Sequence, residues 1–229
     1  MARRIIKSYG TPKLKTIVIS NIDESYFSED GKAARILVQP IGMRTKYLIA
    51  AHPRSGTRWI ASLLQSHGLD IPHETVGRDG IVSWQHIVPG KYKVKAKKVI
   101  HIVRNPIKTI SSMAYVMDAH AFPFMFKYIG YPNVVVGHPG EERLAVSMYT
   151  WYYWNKLIEE RADSRLKFED ILENPFILFN ELNFQPNVLR INNNRENAIS
   201  HPDFSWKNLK KRDKGLYFKI LELFTEYGY

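Results

Sequence analysis

Two clusters of residues in this chain have the types and spacing to hold a phosphate-type ester and act on it. In the first, His52-Pro53-Arg54-Ser55-Gly56-Thr57-Arg58-Trp59, two arginines flank a Ser-Gly-Thr turn. A guanidinium presents a planar fork of donors to phosphate or sulfate oxygens, and backbone N–H groups at a helix start favour an anion. In the second, Arg104-Asn105-Pro106 is followed by Ser112, eight residues after the arginine. An arginine leaving a strand and a hydroxyl two helical turns onward can converge on one phosphate. Between the clusters lie two candidate proton acceptors, Glu74 and His86. A histidine suits base work near neutrality without tuning, while a glutamate needs a raised pKa or a strongly oriented acceptor.

These groups need rigid elements behind them, and the apolar pattern supplies them. Tyr47-Leu48-Ile49-Ala50-Ala51 reads as a buried strand that breaks at Pro53 into the polar turn. The pattern Trp59-Ile60-Ala61-Ser62-Leu63-Leu64 then reads as a helix ending near Gly68. Lys97 to Val103 is a second strand, and Pro106 opens a helix running towards Met117. Strand, anion-type turn and helix thus occur twice, as a doubly wound α/β sheet requires. Asp70 to Pro89 reads as loop-rich, and residues 119–140, dense in aromatics, Pro and Gly, as a long ordered loop or lid. A helix is expected from Glu141 to Arg161, a short strand at Arg165–Phe168, and helices near 175–183 and 213–226. Residues 1–45 read as an N-terminal extension with strands at Thr16–Ser20 and Ala34–Val38, and 46–229 as a single domain.

Composition narrows the chemistry. The 229 residues suit one α/β domain, and the absence of cysteine removes disulfides, thiolate catalysis and cysteine-ligated zinc. No apolar run reaches the roughly 18–20 residues of a membrane span, and the basic start is not followed by the apolar core of a signal peptide, so a soluble, cytoplasmic protein is expected. The net charge of +11 fits a highly anionic small-molecule partner or an acidic acceptor; with basic residues spread along the chain, nucleic acid is not expected. No His/Asp/Glu group has metal-ligand spacing, so no metal is expected. The nucleoside-triphosphate loop, Gly-x-x-x-x-Gly-Lys-Ser/Thr, is absent: Gly31-Lys32 and Gly90-Lys91 continue with Ala33 and Tyr92.

The turn Pro53-Arg54-Ser55-Gly56-Thr57-Arg58-Trp59 resembles the 5′-phosphosulfate loop of the sulfotransferase superfamily, whose donor is 3′-phosphoadenosine-5′-phosphosulfate (PAPS). Arg104-Asn105-Pro106 with Ser112 resembles its 3′-phosphate element, and Phe168-Glu169-Asp170-Ile171-Leu172-Glu173-Asn174-Pro175 its Tyr-Glu-Asp-Leu segment. The run from Trp206 to Tyr229 is similar to the closing helices of bacterial members, so the resemblance covers roughly residues 46–229. It implies a P-loop-like α/β fold with a parallel sheet flanked by helices, and transfer of a sulfuryl group from PAPS to a hydroxyl acceptor. Arg54 would stabilise the leaving phosphate. Ser55, Gly56, Thr57 and Arg58 would cradle the 5′-phosphate, Trp59 and Phe168 would hold the adenine, and Arg104, Ser112 and Arg195 would take the 3′-phosphate. Phe168 stands where the family has tyrosine, so any hydroxyl bond there is lost.

Glu74 resembles the catalytic glutamate of tyrosylprotein and carbohydrate sulfotransferases, and His86 the histidine of the cytosolic phenol and steroid enzymes. The arginine loop favours the glutamate branch and a carbohydrate acceptor. Plainer readings stand beside these: Trp59 as a core anchor, Glu74 as a salt-bridge partner of Arg58 or Arg78, and His86 as a packed histidine. His101, inside an apolar strand, reads as packed. Two further classes fit less well, a nucleotide or nucleoside kinase-like enzyme and a basic polyanion-binding module.

Overall fold

The computed structural model describes residues 43–90, 94–130, 136–188 and 199–229. The chain divides into two units, Met1–Pro40 and Ile41–Tyr229, and all described residues belong to the second. The strands read at Thr16–Ser20 and Ala34–Val38 lie outside the described residues, as does Arg195.

Four strands form one parallel sheet: β1 (Arg44–Ala51), β2 (Gly80–Ser83), β3 (Lys95–Val103) and β4 (Ser164–Lys167), in the order β2-β1-β3-β4. The apolar run of β1 places it centrally, with Ile49 opposite Val82 on one side and Ile100 on the other. Its side chains alternate between two helical layers. Tyr47, Ile49 and Ala51 pack with Ile60 and Leu64 of α1 (Thr57–Ser66), Ile171 of α5 (Phe168–Glu173) and Phe179 of α6 (Phe176–Glu181). Leu48 and Ala50 face Met113 of α2 (Pro106–Val116), Phe122 and Met125 of α3 (Ala121–Ile129), and Trp154 of α4 (Leu144–Glu159). Val103 joins Trp151 and the closing helices α7 (Trp206–Arg212) and α8 (Lys214–Glu226). The fold is therefore α/β, a parallel sheet with helices on both faces.

The topology says where a ligand belongs. After β1 the chain crosses to β2 on one side, and after β3 it crosses to β4 on the other. Adjacent strands whose connections depart in opposite directions leave a crevice beyond their carboxyl ends. That crevice lies between the ends of β1 and β3, where the two arginine-bearing turns emerge.

Three elements differ from expectation. Asp70–Pro89 is not all loop: Gly80-Ile81-Val82-Ser83 forms the edge strand β2, a run too short to show any period on its own. The aromatic segment is not a long loop, because Ala121–Ile129 is helical. Pro123 is the third residue of α3, where backbone N–H groups have no intrahelical acceptor, so its missing donor costs nothing. Gly130 ends the helix at φ 64°. The helix expected from Glu141 opens instead as a 3₁₀ turn, Glu141–Arg143, before α4.

Candidate active site

The turn after β1 is shaped by two left-handed residues, Arg54 at φ 68° and Gly56 at φ 83°. Gly56 is the N-cap of α1 and brings no side chain to it, so the first-turn N–H groups, which no helical carbonyl can reach, are left to the turn. Gly56 is also needed for space. A β-carbon there would lie 2.3 Å from the Phe168 ring. Phe168 is 7% exposed, packed between the turn, the Trp59 ring edge-on at 5.8 Å and the Arg104 guanidinium at 5.4 Å. Trp59 is half-buried and packs against the α1-side core, and Ser55 is buried.

The two arginine turns meet. Arg104 donates from Nη1 to the Arg54 carbonyl at 2.8 Å, and Arg54 donates from Nε to Ser112 Oγ at 2.9 Å. Ser112, 5% exposed, is brought there because Asn105 caps α2, accepting from the N–H groups of Ile107 and Lys108. Burial, followed by the positive charges of Arg104 and Arg58, pulls the Arg54 pKa below its ordinary value. The positive charges of Arg104 and Arg58 thus act on Arg54, and an anion bound at the turn would relieve that repulsion. Arg58 itself is exposed on α1.

Glu169 braces the second turn. Its carboxylate accepts the Asn105 N–H at 3.1 Å and the Tyr229 hydroxyl at 2.5 Å. Sequence reasoning assigned neither residue a role, although Glu169 directly follows Phe168 in the segment already singled out.

Glu74 and His86 belong to one cluster. Glu74 sits at φ 57°, with its N–H on the Val82 carbonyl at 2.9 Å. Ser83 donates its hydroxyl to Glu74 Oε2 at 2.6 Å, and the Trp84 N–H donates to Oε1 at 3.0 Å. His86 Nδ1 lies 2.8 Å from Ser83 Oγ and 3.7 Å from Glu74 Oε2. The His86 side chain is only 4% exposed against 14% for Glu74, so the imidazole stands behind the carboxylate. Arg78 pairs with Asp79, not with Glu74. His73, which sequence reasoning passed over, places Nε2 3.0 Å from Thr57 Oγ1 and 3.7 Å from Glu74 Oε1. Burial, opposed by Glu74 and reinforced by Arg58, lowers the His73 pKa.

Two histidines beneath the crevice are fully buried. His52 holds the Pro53 carbonyl through Nδ1 at 2.7 Å, and His101 places Nε2 3.0 Å from Asn155 Oδ1. Burial lowers His52 to about 3 and His101 to about 4, so both are neutral. Lys207, Lys210, Lys211 and Arg212 are exposed on α7. Among the described residues, no group of three or more His, Asp or Glu is placed to hold a metal ion, and no helix is long and apolar enough to cross a membrane.

Neither a family model nor a curated protein matches the sequence. Among solved structures, the chain is similar to a crystal structure of the mouse sulfotransferase SULT7A1 complexed with PAP, with 16% identity and a TM-score of 0.41. The match covers 66% of this chain and 64% of that one, so this chain spans less than two thirds of its length. A likeness of that degree carries no argument about activity, which has to come from the crevice itself.

Proposed function

We propose that this protein is a PAPS-dependent sulfotransferase that moves a sulfuryl group to a hydroxyl acceptor, with a carbohydrate as the favoured acceptor. The observation that carries the reading is the joining of the two turns: Arg104 on the Arg54 carbonyl and Arg54 on Ser112, at the carboxyl ends of adjacent parallel strands. An adenine nucleotide phosphorylated at both ends of its ribose fits a crevice with cations from two turns. The chain's own residues suit it in kind: a left-handed glycine turn at a helix start, an arginine that feels the charges of two others, and the rings of Trp59 and Phe168 alongside.

Bound there, PAPS would supply the sulfuryl group, and attack by the acceptor oxygen forms one S–O bond as the bond to the 5′-phosphate oxygen breaks. Arg54 would offset the charge appearing on that phosphate, a contribution on the order of 3–4 kcal/mol for a preorganised donor in a water-poor site. Being arginine, it acts as a fixed charge and not as a proton donor. Glu74 would take the acceptor's proton. Ser83 and the Trp84 N–H fix the plane of its carboxylate, and each oxygen keeps a second lone pair. The deep burial of His86 and its contact with Ser83 support a role behind Glu74.

Thermal unfolding with adenosine 3′,5′-bisphosphate, the transfer product, tests the reading. At about 100 times its dissociation constant it should add about 2.7 kcal/mol of stability, ATP should add far less, and Arg104→Ala should lose most of the gain. Equal stabilisation by ATP would point to a kinase-like enzyme, and no stabilisation by either nucleotide would sink the proposal.

A further inference from the structure

We infer that His73 is a positioning residue, which turns the Thr57 hydroxyl proton towards the anion held by the turn. The inference rests on the anion-binding reading of that turn and assigns a role to a residue outside it in sequence. Thr57 is the first residue of α1 and is buried, so the direction of its single hydroxyl proton decides whether it donates into the crevice. The His73 ring nitrogen Nε2 lies 3.0 Å from Thr57 Oγ1. If Nε2 carried no proton, it would accept from the hydroxyl and turn that donor away from the anion. If Nε2 carries the proton, the ring donates to Oγ1, and the hydroxyl proton is released to the crevice.

Two neighbours favour the second arrangement. Glu74 Oε1 stands 3.7 Å from the same nitrogen, so its negative charge draws the proton to Nε2. Arg58, the other charged group facing the ring, together with burial opposes a second proton on the imidazole. The ring is therefore neutral with its proton on Nε2. His73 is fixed in turn by the sheet, since it bridges Val82 of β2. The same ring nitrogen stands between the Thr57 hydroxyl, at 3.0 Å, and the charge of the Glu74 carboxylate, at 3.7 Å. It ties the orientation of the anion cradle to the group proposed to take the acceptor's proton.

A double-mutant cycle on the full chain tests this, with adenosine 3′,5′-bisphosphate and inorganic pyrophosphate each titrated by calorimetry. Thr57→Ala and His73→Phe should each weaken binding about tenfold, the scale of one hydrogen bond to a charged group. The double variant should bind within about threefold of Thr57→Ala, because both changes remove one donor. His73→Gln, which restores an N–H near the position of Nε2, should bind within about threefold of the wild type. Additive losses in the double variant, or failure of His73→Gln to recover binding in a protein that melts like the wild type, would overturn the inference. Should the wild type bind pyrophosphate but not the nucleotide, the PAPS reading falls, while the pyrophosphate cycle still decides the role of His73. Binding of neither ligand overturns both.

Discussion

Replacing Gly56 by alanine should damage this protein for two separable reasons. The first is conformational: Gly56 has φ 83°, and an L-residue held in the left-handed region costs about 1–2 kcal/mol. The second is steric. The added carbon would meet Phe168 ring atoms at 2.3, 2.3 and 2.9 Å, where ordinary contact begins near 3.4 Å. The ring would have to move by about an ångström, yet it is wedged against Trp59 and Arg104 and is 7% exposed. Overpacking of this kind costs about 1–3 kcal/mol. Together the variant should lose about 2–5 kcal/mol, or about 4–20 °C in Tm at 2–4 °C per kcal/mol for a domain of this size. Differential scanning calorimetry of Gly56→Ala, Phe168→Ala and the double variant separates the two terms. Removing the ring removes the clash but not the strain, so the double variant should be less destabilised than the sum of the singles by about 1–3 kcal/mol. Additivity within about 0.5 kcal/mol, or an unchanged Tm for Gly56→Ala, would refute this account of the turn.

Glu74→Gln should lower turnover by about 10²–10⁴ with nucleotide affinity nearly unchanged; wild-type turnover, with activity abolished in His86→Ala, would transfer the base role to His86. His52 and His101 are neutral in the folded state, at about 3 and about 4, whereas an unfolded histidine titrates near 6.5. The unfolded chain thus binds more protons as pH falls below 6.5, so their stabilisation is complete above that value and is lost on the way down, to about pH 4 for His101 and about pH 3 for His52. Each histidine contributes a slope of up to about 1.4 kcal/mol per pH unit, and a Tm that is flat from pH 7 to pH 5 would contradict their burial. Arg54→Gly and Arg54→Ala both delete the guanidinium. Because Arg54 has φ 68°, the glycine variant should be the more stable by about 1 kcal/mol, reversing the order found at ordinary backbone angles; calorimetry showing alanine ahead would deny the strain.

Much of the frame was legible because long apolar runs leave little choice. β1 and β3 are parallel strands buried over their carboxyl-terminal halves, and Asn105-Pro106 marks the start of α2 by residue type alone. β2 was not legible, since its four residues become a strand only when Tyr47–Ala50 lie beside them. α3 was concealed by its own composition: Pro123 and the crowded rings suggest a loop unless the proline is known to fall in the first turn. At the site, the residue types could be read, but their mutual contacts could not. The Arg104–Arg54 and Arg54–Ser112 bonds span 50 and 58 residues, and no local pattern encodes them. Glu74 and His86 looked like rivals because one sequence position at a time shows a carboxylate or an imidazole. Only the fold shows Ser83 between them. The role of His73 was hidden in the same way, because its bond to Thr57 spans 16 residues.

Strain and charge point to the same crevice. Among the described residues, three non-glycine positions have positive φ: Arg54, Glu74 and Asn183. Two of these are the residues whose side chains suit the chemistry, and such conformations cost of order 1–3 kcal/mol unless the surroundings enforce them. Here the surroundings do. Arg104 holds the Arg54 carbonyl, and the Val82 carbonyl holds the Glu74 N–H. The same contacts that enforce the backbone bring like charges together, since Arg104 is both the clamp on Arg54 and a cause of its lowered pKa. A protein selected only for stability would relieve both costs, with glycine at position 54 and a neutral residue at 104. Keeping them makes sense if an anion normally sits among the guanidiniums, because its binding recovers the repulsion energy and makes the strained turn complementary to a ligand.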